Sequence, residues 1–112
     1  MPTTPNRDGG RLVEDSGQFD DVVDDSEAVL AHFEAEWSRP CRRVDADLDA
    51  LAAEQRVETV RVDVESNPVL AAEFAVQSLP TLLLFVDGEP VARREGVCDR
   101  EALVDLIETH LA

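Results

Sequence analysis

SLPTLLLFVDGEPV, from Ser78 to Val91, is the stretch that decides the fold. Pro80-Thr81-Leu82-Leu83-Leu84-Phe85-Val86 reads as a strand and Asp87-Gly88 as a hairpin turn, since the pair tolerates the positive φ angles that tight hairpins need. Glu89 to Glu95 reads as the returning strand, which Gly96 breaks. From Asp99 to His110 a last helix follows, with Leu103, Leu106 and Ile107 inward.

Upstream of the hairpin, Asn67-Pro68 opens a short helix to about Phe74, and VETVRVD, from Val57 to Asp63, alternates as a strand with Val57, Val60 or Val62 inward. Pro40 to about Gln55 carries Val44, Leu48, Leu51 and Ala52 at spacings of three and four, an amphipathic helix with Pro40 in its first turn and Ser38 as its N-cap. Ala28-Val29-Leu30-Ala31-His32-Phe33 is a nearly continuous apolar run of strand length, which predicts a buried central strand. Gln18 to Asp24 suits a short helix and Arg11 to Glu14 an edge strand. Residues 1–10, rich in Pro, Thr and Gly, read as a flexible tail, and 11–112 as a single domain. The expected fold class is α/β: a central mixed sheet with helices on both faces.

Acidic residues number 25 against 10 basic ones, a formal net charge of −15, and every basic residue is Arg. Such charge repels itself in dilute salt, whereas at molar ionic strength the Debye length shrinks to about 3 Å and the repulsion is screened. The composition therefore points to a salt-rich cytoplasm and a soluble monomer. It argues against a nucleic-acid partner, which needs a basic patch. The first ten residues lack the apolar stretch of a signal peptide, and the longest apolar run, Leu82 to Val86, is too short to span a bilayer, so no membrane role is expected. Two cysteines, Cys41 and Cys98, are too few for a secreted disulfide scaffold.

FEAEWSRPC, from Phe33 to Cys41, followed some forty residues later by SLPTLLLFVDGEPV, resembles the thioredoxin family. VDVESNP before the third helix, Leu79-Pro80-Thr81, Asp87-Gly88 and Gly96 extend the likeness from about Arg11 to the C-terminus. The resemblance implies a thioredoxin fold, a cis Leu79-Pro80 bond against the active loop, and a shallow groove framed by Trp37, Leu79, Val97 and the Gly96 backbone. It also implies protein or peptide clients, a donor of the thioredoxin-reductase kind, and no cofactor.

Four positions depart from the family pattern. Where members have Trp-Cys-Gly-Pro-Cys, this chain has Trp37-Ser38-Arg39-Pro40-Cys41. The first cysteine of that motif attacks the client disulfide as a thiolate, which a serine hydroxyl cannot do, and Cys41 matches only the second. His32 stands where the family has a buried Asp that accepts a proton from the second cysteine. Ala46 replaces a helix-kinking Pro, and Glu34 replaces an aromatic residue.

Three readings of the site follow. In the first, the fold holds extended peptides without moving electrons, Ser38 caps a helix and Cys41 packs in the core. In the second, Cys41 is a reactive monothiol whose proton His32 takes. In the third, Cys41 pairs with Cys98, two residues past Gly96, if their Cα atoms lie within about 7 Å. Arg39, Arg42 and Arg43 gather positive charge at the mouth of the loop, where they steer an acidic partner or cover apolar surface. Metal binding by Cys41, Cys98, His32 and His110 is not expected, since no pair has ligand spacing. His110 is read as a last-turn residue that meets the helix dipole.

Overall fold

The computed structural model describes residues 11–35, 57–96 and 99–111. The expected tail at 1–10, the helix from Pro40 to Gln55, and Trp37, Ser38, Arg39, Pro40, Cys41, Val97 and Cys98 lie outside the described residues.

Five strands, β1 (Arg11–Val13), β2 (Ala28–Glu34), β3 (Glu58–Asp63), β4 (Thr81–Val86) and β5 (Glu89–Glu95), form one sheet in the order β1-β3-β2-β4-β5. β1 and β2 run parallel to β3, while β4 runs antiparallel to both β2 and β5. The helices are α1 (Ser16–Asp25), α2 (Pro68–Glu73) and α3 (Arg100–Leu111). This is the mixed sheet expected of a thioredoxin fold.

Periodicity explains which face each element covers. Phe19, Val22 and Val23, three and four apart on α1, are buried with Leu70 of α2 against Val29, Ala31, Phe33, Val60, Val62, Leu83 and Phe85. On the opposite face Leu103 and Ile107 of α3 cover Ala28, Leu30, Leu82 and Leu84. Leu106, expected inward, packs at the margin of that second cluster and is only partly buried. β2 is buried at all seven positions because both faces are covered. Each fully buried Leu or Phe side chain contributes roughly 2 kcal/mol through removal from water.

All four phenylalanines of the chain, Phe19, Phe33, Phe74 and Phe85, meet in the first cluster with centroid separations of 5.6–6.1 Å. α1 begins two residues before the expected Gln18 because Asp15 caps it, its side chain accepting from the Gln18 N–H at 2.8 Å. Asp87 (φ 52°) and Gly88 (φ 84°) both lie in the left-handed region, the signature of a type I′ hairpin. Beyond the turn, Phe85 pairs with Pro90 and Leu84 with Ala92. Val91 is thus the extra residue of a bulge, next to a Pro that an edge strand tolerates.

Arg93 of β5 ties the sheet to the end of α2. Its guanidinium donates to the carbonyls of Phe74 at 2.6 Å and Ala75 at 2.8 Å, groups that the helix itself leaves unpaired.

Candidate functional site

Two parts of the expected site lie within the described residues, at the ends of β2 and β4. The first is the turn into β4. Leu79-Pro80 is cis, as the resemblance implies, with Pro80 buried and Leu79 half-buried. Thr81 Oγ1 donates to the Ser78 carbonyl at 2.6 Å and closes this turn. Gly96, with φ 88°, donates its N–H to the Pro80 carbonyl at 2.8 Å, continuing the β4/β5 ladder one step past Thr81 and Glu95. Pro80 and Gly96 are therefore joined by a backbone bond, with Leu79 next to Pro80 in the cis turn.

The second part is a charged cluster on β2 and β3. His32 lies opposite Arg61 of β3 on one side and Leu82 of β4 on the other, and is 0 % exposed. Two residues along β2, on the same face, Glu34 is 7 % exposed. Its Oε2 accepts from Arg61 Nη1 at 3.3 Å, and its Oε1 lies 3.7 Å from His32 Nδ1. A carboxylate so far from water is costly unless a cation or donors hold it, and Arg61 supplies the cation.

This cluster revises one sequence-based expectation. Replacement of the family's buried Asp by His32 and of an aromatic residue by Glu34 reads in sequence as two of four departures around one site. In the fold they form one cluster: a buried carboxylate is present, displaced two residues along the same strand and held by the Arg facing His32. The signal was available, since positions 32 and 34 share a face by the period of two, but the β2/β3 register that brings Arg61 alongside had to be seen.

Among the described residues no group of three or more His, Cys, Asp or Glu side chains is arranged to hold a metal ion. His110, in the last turn of α3, donates from Nδ1 to the Leu106 carbonyl one turn back at 2.9 Å. No described helix is long and apolar enough to cross a membrane.

Comparison with known proteins agrees with this geometry. The family model for thioredoxin matches residues 11–109. Thioredoxin of Chlamydia trachomatis serovar D is 45% identical over 83 residues, covering 73% of this chain and 81% of that protein. The bifunctional thioredoxin reductase/thioredoxin of Mycobacterium leprae is 40% identical over 94 residues, covering 82% of this chain and 20% of that protein. Among solved structures, a mutant thioredoxin from Halobacterium salinarum NRC-1 superposes with a TM-score of 0.89 at 37% identity, covering 97% of this chain and 96% of that one.

Proposed function

The chain belongs to the thioredoxin family, and from that premise we propose that it holds extended segments of client proteins in a groove beside a single active-loop thiol, Cys41, with dithiol exchange impaired by Ser38. The observation that carries this reading is an intact rim, with Gly96 bonded to Pro80 at 2.8 Å and Leu79 beside them, in a chain whose position 38 has no sulfur. In this reading Trp37, Arg39, Pro40 and Val97 complete the groove, and the protein works as a cytoplasmic monomer in a salt-rich cell. The net charge of −15 supports that setting, as does the likeness to a Halobacterium structure. A reductase-like donor belongs to the reading because one relative carries reductase and thioredoxin in one chain.

A second reading keeps redox chemistry: Cys41 exchanges disulfides as a monothiol assisted by His32, or pairs with Cys98. The buried Glu34 carboxylate, 3.7 Å from His32 Nδ1, puts a second polar group beside the residue that this form calls on.

One experiment separates these. The protein is oxidised mildly in molar KCl, and its free thiols are alkylated with iodoacetamide before and after denaturation. Two alkylations only after unfolding support the binding module. Rapid native alkylation at Cys41 alone supports the monothiol. Loss of two hydrogens with no alkylation establishes a Cys41–Cys98 bridge and overturns the single-thiol reading. In parallel, Cys41→Ser abolishes thiol activity yet leaves peptide affinity unchanged if the groove works without chemistry, and Ser38→Cys alone restores only weak reductase activity.

A further inference from the structure

The connection from α2 to β4 is tied to β5 at both ends. At its far end the Gly96 N–H donates to the Pro80 carbonyl at 2.8 Å. At its near end Arg93 Nη1 donates to the Phe74 carbonyl at 2.6 Å and Nη2 to the Ala75 carbonyl at 2.8 Å. Nε of the same guanidinium donates to Glu95 Oε2 at 2.8 Å, and Glu95 adjoins Gly96. One side chain thus links the end of α2 to the residue before Gly96.

The near end needs holding. Val76 donates its N–H to the Ala71 carbonyl at 2.8 Å and Ala75 to that of Ala72 at 3.1 Å, the paired bonds of a helix stop with one left-handed residue. That residue is commonly Gly, whereas here it is Ala75 with φ 54°, a conformation that a Cβ makes costly. The Phe74 and Ala75 carbonyls belong to the two peptide groups that flank the Ala75 Cα. Two bonds from one planar guanidinium therefore fix how those groups are turned, and with them the direction in which the chain leaves the helix. Farther along, Gln77 and Ser78 are exposed, so packing does little to guide the chain on its way to Leu79.

We propose that Arg93 is a positioning residue: by clamping the Phe74 and Ala75 carbonyls it sets where Leu79 and Pro80 lie, and so shapes the edge of the peptide groove. The proposal rests on the reading in which Leu79, Pro80 and Gly96 frame that groove. Arg93 acts through the connection, without touching the client. Lys cannot replace it, because an ammonium is a point donor where two carbonyls and a carboxylate are met by a planar fork.

The test compares Arg93→Leu, Arg93→Lys and Arg94→Leu in the full chain at molar KCl. The Arg93 side chain is 33% exposed, so its loss opens no cavity in the core. Arg94 is exposed on the other face of β5, and Arg94→Leu removes the same charge without touching the clamp. ¹H–¹⁵N NMR follows the amides of Ser78 and Leu79, and isothermal titration measures affinity for a short peptide of alternating Val and Ser. In Arg93→Leu both amide signals shift, and the peptide binds about ten-fold more weakly, the worth of one charge-assisted hydrogen bond. Arg93→Lys falls between this variant and the wild type, and Arg94→Leu matches the wild type. Shifts confined to Phe74, Ala75 and Val76 overturn the proposal and leave Arg93 a helix cap. Equal peptide affinities of Arg93→Leu and Arg94→Leu overturn it as well. A wild-type chain that binds no peptide sinks the groove reading instead, and the Leu79 signal still decides whether Arg93 positions that turn.

Discussion

Arg61 faces His32 across the parallel β2/β3 pairing, yet its guanidinium bonds to Glu34, two residues further along β2. Truncating one member of such a pair leaves the other charged and poorly hydrated, which costs more than the pair itself contributes. Arg61→Met should therefore destabilise the fold by about 3 kcal/mol. Glu34→Leu combined with Arg61→Met should recover most of that loss. Denaturant midpoints of the two variants at constant molar KCl check this, and a double variant weaker than the single one would contradict it.

Phe19 touches Phe33, Phe74 and Phe85 at once and is 2 % exposed, whereas Phe74 is half-buried at the margin of the same cluster. Phe19→Ala opens a cavity in the middle of the aromatic cluster and should cost about 3–5 kcal/mol. Phe74→Ala, nearer to solvent, should cost clearly less. Equal losses in thermal or chemical denaturation would mean that Phe19 is not the centre of this core.

Gly96 has φ 88°, and among the described residues a Cβ added there meets nothing within 4 Å. The penalty of Gly96→Ala is thus one of backbone conformation alone, about 1–2 kcal/mol. Because the Gly96 N–H is bonded to Pro80, the rim should shift as well, and affinity for an extended peptide should fall more than in a surface variant of equal stability. Isothermal titration with one peptide against both variants measures the difference, and equal affinities would count against the proposed groove.

With a net charge of −15 and no lysine, the folded chain repels itself where counterions are scarce. The melting temperature should rise steadily from 0.1 M to 2 M KCl as screening shortens to a few ångströms. A melting temperature independent of KCl would show that the acidic surface has little bearing on stability.

The fold could be read from the sequence because its strongest signals are local. The β4–turn–β5 hairpin, the apolar run of β2 and the spacing of Leu103 and Ile107 each declare an element and its buried face without help from distant residues. Boundaries shifted by one or two residues where a side chain intervened, as with Asp15 at the start of α1. The cis Leu79-Pro80 turn and the break at Gly96 were equally legible, since both stand in recognisable motifs. The His32–Glu34–Arg61 cluster was not, because it depends on residues 27 positions apart being paired in register by two parallel strands. Sequence marks His32 and Glu34 as departures and leaves Arg61 unremarked, and only the sheet brings the three together.

β2 occupies the middle of the sheet, hydrogen-bonded on both edges and buried at every residue, whereas the three residues of β1 pair with β3 alone. Amide hydrogens of Leu30 to Phe33 can then reach solvent only when the whole domain opens, so their exchange rates report global stability. Those of β1 can exchange through local fraying at the sheet margin. The strand that bears His32 and Glu34 is thus held on both edges, and its backbone loosens only with the sheet as a whole.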